Sequence, residues 1–309
     1  MTEWTRQGTE HPAAQDSAPI VSTSSLGSHI DLTKLASFKA HIINAVTRSE
    51  AHFEPFGHLY IEHILPEELY AAARTRMLEH KYNSALLDRP QDSELYVNKR
   101  FSLIGNADVE TQYIHALFSD NDVKTAFLKK FYLDVTPSLA SSLQIHEEFE
   151  YMYTAAGRFQ NIHVDIPPKF LSFVFYFPEF EVGETEELKN GTIIYDKQLE
   201  PHYVARYKSN SVCVFAPHFC TYHGFSSTID REVLVMFYVN PDEMKWWIGI
   251  RGKAEEPPYE AIRSAIDDKL SRFPLIEYGR DPKIRQEARK ACLINAPKGR
   301  IMRDLIGRN

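Results

Sequence analysis

From about residue 143 to residue 240 the apolar residues of this chain stop recurring every three or four positions and begin to alternate. Leu143, Ile145, Phe149, Tyr151 and Tyr153 are interleaved with Gln144, His146, Glu148 and Glu150. Successive side chains of a strand point to opposite faces, so a period of two marks a strand with one buried face. Further β-rich runs follow at 170–177, 192–195, 211–215, 221–225 and 232–239. Pro167-Pro168, Lys189-Asn190-Gly191, Lys208-Ser209-Asn210 and Ser226-Ser227 separate them with turn chemistry. Short strands at this density restrict the core to a sandwich or a barrel.

On both flanks the period is helical. Asp31 reads as the N-cap of a helix whose apolar positions are Leu32, Leu35, Ala36, Ile42, Ile43 and Val46. A short strand at 58–64 leads into Pro66 and a helix with Leu69, Ala72, Ala73 and Met77 on its core face. Another helix is predicted over 122–132, with Val123, Ala126, Phe127 and Phe131 inward. After Trp247, Ile262, Ile266, Leu270 and Phe273 form one stripe and 284–293 a second. The first 28 residues are small and polar without periodicity, which predicts a disordered tail. The expected plan is a tail over 1–28, a mainly β domain supported by helices over 29–248, and a C-terminal helical extension over 249–309 packed on it.

Composition narrows the function classes. The 309 residues carry 35 Lys and Arg against 42 Asp and Glu, a net charge of −7. That balance argues against general binding to nucleic acid or to an anionic membrane, both of which need a cationic face. No apolar run reaches the ~18 residues of a membrane span, and the N-terminus shows no basic segment followed by an apolar one. Cys213, Cys220 and Cys292 match no zinc spacing and read as three reduced thiols of a cytoplasmic protein.

The residues that carry chemistry begin with His163-Val164-Asp165. On a strand, positions i and i+2 share a face, so an imidazole and a carboxylate project into one space. His223, sixty residues later on another predicted strand, supplies a third donor. Two His and one carboxylate on one face suit Fe(II) in oxygenases, with the opposite face open for substrate and O₂. The triplet alone is weak, because His29-Ile30-Asp31 repeats it where Asp31 serves as a cap. Arg231 strengthens it. An arginine opening the apolar strand Val233-Leu234-Val235-Met236-Phe237-Tyr238 is costly unless it meets an anion. It reads either as a strand-edge ion pair or as a fork for the distal carboxylate of a dicarboxylic co-substrate, with the phenol of Tyr176 as a second donor. His218 is the rival third ligand, but it follows Ala216-Pro217, where the proline places it in a turn.

Taken together, Tyr153, His163-Val164-Asp165, the run from Leu171 through Tyr176 to Pro178, Asn190-Gly191, Phe215-Ala216-Pro217, Tyr222-His223-Gly224 and the strand from Arg231 to Asn240 resemble the Fe(II)- and 2-oxoglutarate-dependent oxygenase superfamily. Within it, the chain is most similar to the prolyl 4-hydroxylase-like branch, over about residues 53–245. The resemblance implies a double-stranded β-helix (jelly-roll) core with helices packed outside it. It implies that His163, Asp165 and His223 ligate Fe(II), that Arg231 and Tyr176 hold the C5 carboxylate of 2-oxoglutarate, and that Tyr153 lines the co-substrate pocket. Two positions depart from the family pattern. Val233 stands where many relatives carry Ser or Thr, so that hydrogen bond must come from elsewhere or be absent. Asn190-Gly191 replaces a Gly-Gly pair. The implied activity is oxidation of a C–H bond, with O₂ and 2-oxoglutarate consumed and succinate and CO₂ released. A small molecule, an amino acid or specialised metabolite, is the expected substrate; a protein side chain is the alternative, and a non-catalytic metal-bearing scaffold a third. Loops at 83–110, 154–162 and 180–190 are expected to select the substrate, and the C-terminal helices to cover the core or form a homodimer surface.

Overall fold

A computed structural model describes residues 30–82, 90–93, 96–102, 108–251 and 259–292. The expected tail, His29, parts of the loop at 83–110 and residues 293–309 lie outside the described residues. The chain opens with α1 (Leu32–Arg48), β1 (His58–Glu62), α2 (Glu67–Tyr82), β2 (Pro90–Ser93) and β3 (Tyr96–Ser102), then α3 (Val109–Ser119), α4 (Asn121–Leu128) and α5 (Pro137–Ser142). The strand-rich part follows: β4 (His146–Thr154), β5 (Phe159–His163), β6 (Lys169–Tyr176), α6 (Glu184–Lys189), β7 (Thr192–Tyr195), β8 (Pro201–Ala205), β9 (Ser211–Phe215), β10 (His223–Ser226) and β11 (Arg231–Val239). It closes with α7 (Pro241–Arg251), α8 (Tyr259–Arg272), a 3-10 turn (Ile276–Tyr278) and α9 (Pro282–Ala291).

All strand pairings are antiparallel, and their order is β1-β9-β6-β11-β4-β3-β5-β10-β7-β8. From β4 onward the chain crosses back and forth between two sets, β4-β11-β6-β9 and β5-β10-β7-β8, apart from β7 and β8, which pair as a hairpin within the second. That winding is the double-stranded β-helix expected above, and its path ends at β1 and β8 without closing into a barrel.

Alternation assigns the two faces of the first set. On β11, Leu234, Met236 and Tyr238 join the larger core with Phe118, Phe127, Phe173 and Phe175. Arg231, Val233, Val235 and Phe237 point the other way, into the cavity between the sets. Phe127 meets Phe173 edge-to-face at 4.9 Å between ring centres, and Tyr238 donates to the Phe118 carbonyl at 2.9 Å. Each such ring contributes about 1.5–3 kcal/mol of burial, which fixes the helices α3 and α4 against the sheet.

The flanking helices follow their sequence signals with two adjustments. Asp31 caps α1 by accepting from the Thr33 and Lys34 amides. The buried stripe is Phe38, Ile42 and Val46, whereas Leu32 is 75% exposed. In α2, Leu69, Ala73 and Met77 are buried as expected, but Tyr70 is buried where Ala72 was expected and Ala72 is half-buried. The C-terminal segment lies on the core through Ile266 and Leu270, with Phe273 against Phe170 at 5.4 Å. Among the described residues no helix is long and apolar enough to cross a membrane.

One expectation fails. Cys220 and Cys292 are joined in a disulfide, with their Cα atoms 5.5 Å apart, while Cys213 is free and buried. A separation of 72 residues hid the pair, which exists because α9 folds back over the turn that carries Cys220. The bond removes the support that three reduced thiols lent to a cytoplasmic location.

Candidate metal and co-substrate site

β5 and β10 pair so that His163 and His223 stand directly opposite, their ring centres 4.2 Å apart. Asp165, two residues past the end of β5, turns back toward them, and its Oδ2 lies 3.9 Å from His223 Nε2. One donor atom from each of the three residues falls within a 4.8 Å cluster, and among the described residues no other group of three meets that test.

The imidazoles are set by matching backbone bonds. His163 Nδ1 donates to the Asn161 carbonyl at 2.9 Å, and His223 Nδ1 to the Thr221 carbonyl at 3.0 Å. Each bond fixes the tautomer that leaves Nε2 with its lone pair facing the centre. Burial, and for His163 the neighbouring His223, lowers both pKa values, that of His163 to about 3, so both rings are neutral near pH 7. Burial alone would raise the pKa of Asp165, but Lys169, His223 and His163 outweigh it and keep the carboxylate ionised. Two neutral imidazoles and a carboxylate, convergent and with His223 and Asp165 buried, fit a divalent transition metal with nitrogen and oxygen preferences.

Both oxygens of Asp165 are held. Lys169 Nζ donates to Oδ1 at 2.7 Å and Ser172 Oγ to Oδ2 at 2.5 Å. Gln160 Nε2 lies 3.0 Å from His163 Nε2, beside the donor cluster. Sequence spacing singled out none of these three. The signal for Ser172 was present, since it shares the inward face of β6 with Val174 and Tyr176. Lys169 and Gln160 are visible only once the strands are paired.

The far end of the cavity is built around Arg231. Its side chain is 1% exposed. Nε donates to the Asn190 carbonyl at 2.9 Å and Nη2 to Thr192 Oγ1 at 3.1 Å, and the guanidinium lies 3.9 Å from the centre of the Phe225 ring. Glu232, next in sequence, faces the opposite side and is taken by Lys81 at 2.6 Å and Tyr207 at 2.9 Å. Among the described residues no carboxylate forms an ion pair with Arg231. Thr192 Oγ1 thus supplies a hydroxyl beside the guanidinium that Val233 cannot. Tyr176 donates to Thr192 Oγ1 at 2.7 Å, so it stands behind that hydroxyl and is not among the residues lining the cavity.

Tyr153 is not brought to the site. Met152 lines the cavity, so its neighbour Tyr153 points outward and donates to Asp230 at 2.9 Å beneath Lys81. His218 lies in the turn between β9 and β10, where Tyr278 meets its Nδ1 at 2.8 Å and Glu277 its Nε2 at 3.2 Å. It is engaged by the C-terminal segment and stands outside the donor cluster.

Two glycines let the strands approach. A Cβ on Gly191 would sit 2.3 Å from the Ala205 carbonyl oxygen, and one on Gly224 would sit 2.9 Å from that of Gln160. Gly224 therefore brings β10 close enough to β5 for the two histidines to meet.

No protein-family model matches the sequence, and no curated protein matches it. Among solved structures, the fold is similar to a prolyl-4-hydroxylase from Pseudomonas putida at 13% identity and a TM-score of 0.47, over 66% of this chain and 99% of that one. A prolyl 4-hydroxylase from Phytophthora capsici gives 14% and 0.48 over 83% and 94%. The dioxygenase for auxin oxidation 1 from Arabidopsis thaliana, in a 2-oxoglutarate complex, gives 11% and 0.44 over 66% and 88%. At these scores the function of this chain is read from its own side chains.

Proposed function

We propose that this chain is an Fe(II)- and 2-oxoglutarate-dependent oxygenase that oxidises a C–H bond of a small molecule. The observation that carries this reading is Arg231: a buried guanidinium with no carboxylate partner among the described residues, in the same cavity as His163, Asp165 and His223. Burying an unpaired charge costs several kcal/mol, so such an arginine implies an anionic ligand. A dicarboxylate that reaches from the donor cluster to Arg231 meets both ends of the cavity.

His163 and His223 through Nε2, and Asp165 through Oδ2, would hold the metal, while Lys169 keeps Oδ1. Arg231, assisted by Thr192, would bind the distal carboxylate of 2-oxoglutarate, and Tyr176 would orient the Thr192 hydroxyl. Bound Fe(II) supplies O₂ activation at the expense of the co-substrate. Overall, a C–H bond becomes C–OH while 2-oxoglutarate and O₂ become succinate and CO₂. Val174, Val233, Val235, Phe215 and Phe225 wall the cavity and keep bulk water from the reacting groups. A substrate entering it meets Gln160, Lys169 and Phe237 beside the metal ligands.

Anaerobic addition of Fe(II) and then 2-oxoglutarate should produce a visible metal-to-ligand charge-transfer band; its absence overturns the reading. In Arg231→Ala the co-substrate should bind roughly a hundredfold more weakly, about 3 kcal/mol for lost charged hydrogen bonds, as read by titration of that band. Succinate release across a panel of small molecules and peptides identifies the substrate, and release with peptides alone would move the assignment to a protein hydroxylase.

A further inference from the structure

The C-terminal helical segment lies outside the β-helix, yet it makes a specific contact with the backbone that carries two of the metal-site residues. Lys269 on α8 is 0% exposed. Its Nζ donates to the Lys169 carbonyl at 2.7 Å and to the Pro217 carbonyl at 2.9 Å. β6 and β9 pair as far as Ser172 and Phe215, and beyond that point the two chains part into separate turns. A buried carbonyl that leaves a ladder needs another donor, and here one amine serves both.

Each of those carbonyls is a single turn away from a donor to the metal. Lys169 closes the turn from Asp165, through its amide to the Ile166 carbonyl at 3.2 Å and its ammonium to Asp165 Oδ1 at 2.7 Å. Pro217 opens the turn that ends at His223. Within it Thr221 Oγ1 donates to the His218 carbonyl at 3.1 Å, and the Thr221 carbonyl holds His223 Nδ1 at 3.0 Å. The same segment grips the second turn twice more, through Tyr278 on His218 and through the Cys220–Cys292 disulfide.

We propose that Lys269 is a positioning residue of the metal site, setting the separation of Asp165 and His223 by tying together the two turns that carry them. This rests on the reading of His163, Asp165 and His223 as metal ligands. Burial lowers the Lys269 pKa to about 7, so near neutrality much of it is an amine whose two N–H groups match the two carbonyls.

The test uses Mn(II), which binds without turnover, and full-length protein under anaerobic calorimetry. Lys269→Met keeps the apolar stem and removes the donors. Its Mn(II) dissociation constant should rise roughly tenfold or more at unchanged far-UV circular dichroism, as for lost outer-sphere support of a metal site. Arg285→Gln removes the bond from Arg285 to Asp267 within the same segment and should leave Mn(II) affinity at the wild-type value. A folded Lys269→Met with wild-type affinity overturns the proposal, as does an equal loss in Arg285→Gln. Should Lys269→Met not fold, hydrogen exchange on the wild type decides. Linkage is reciprocal, so Mn(II) must slow exchange at the α8 amides around Lys269, and no change overturns the proposal. A wild type that binds no Mn(II) overturns the metal reading itself.

Discussion

A guanidinium at 1% exposure, offered a carbonyl and a hydroxyl but, among the described residues, no carboxylate, is held at an electrostatic cost that those two neutral acceptors only partly offset. Thr192 is the more informative of them, because its hydroxyl touches Arg231 on one side and Tyr176 on the other. Thr192→Val should weaken 2-oxoglutarate binding about tenfold, roughly 1.4 kcal/mol, with iron affinity unchanged, as measured by titrating the charge-transfer band. Tyr153→Phe, which disturbs only the outward bond to Asp230, should leave that titration within about twofold. The same logic separates the histidines. His223→Ala should abolish metal binding, whereas His218→Ala should spare the donor set and loosen the contact with Tyr278 and Glu277. Calorimetric titration with Mn(II) distinguishes the two, and a reversed pattern would reassign the ligand.

Strand pairing turns those residues into a site, and Gly224 marks the close approach of β10 to β5 beside His223. Gly224→Ala would push β10 from β5 at the residue after His223, because a Cβ would meet the Gln160 carbonyl oxygen at 2.9 Å. Such backbone overpacking costs about 1–3 kcal/mol, so the variant should melt several degrees lower and bind metal more weakly than its stability loss alone implies. Thermal denaturation with and without Mn(II) reads both. How far the elements were legible follows from the same geometry. His163 and Asp165 could be read as a pair because they stand two residues apart, although Asp165 lies past the end of β5 and reaches the site through the turn, and His223 because it falls on a predicted strand. Tyr153 could not, since ten residues of separation from His163 say nothing about which face of β4 it occupies. Met152 faces the cavity and Tyr153 faces away. Lys169 and Gln160 belong to the site through pairing and turn geometry, which leave no periodic trace. The β-rich plan survived because β4 alternates, with one face buried, while β9 and β11, buried on both faces, read as short continuous apolar runs bounded by turn residues. The helix α3 was not anticipated, although its buried residues Tyr113, Ile114, Leu117 and Phe118 recur at helical spacing.

At the scale of the whole molecule, the C-terminal segment is joined to the β-helix by groups with opposite demands. The Cys220–Cys292 bond closes 72 residues and, in the chain-entropy account, contributes about 4 kcal/mol by restricting the unfolded chain. Lys269 works against stability whenever it is charged. Burial lowers its pKa to about 7, while the charges of Glu243 and Asp165 favour the ammonium form without bonding to it. An unfolded lysine titrates near ~10.4. Between those two values the unfolded chain binds more protons than the folded one, so the Lys269 contribution makes stability rise with pH from about 7 toward 10. Below about 7 the amine is protonated in both states, and the penalty is present in full and constant. Cys213, whose pKa burial raises to about 12, and the buried tyrosines act in the opposite sense at higher pH, but they are common to wild type and variant and cancel in a difference. The stability of the wild type minus that of Lys269→Met, from urea unfolding at fixed salt, should therefore be flat from pH 6 to about 7 and climb above it. Parallel curves would mean that Lys269 carries an ordinary lysine charge in the folded protein, and that its two carbonyl bonds are made by an ammonium rather than an amine.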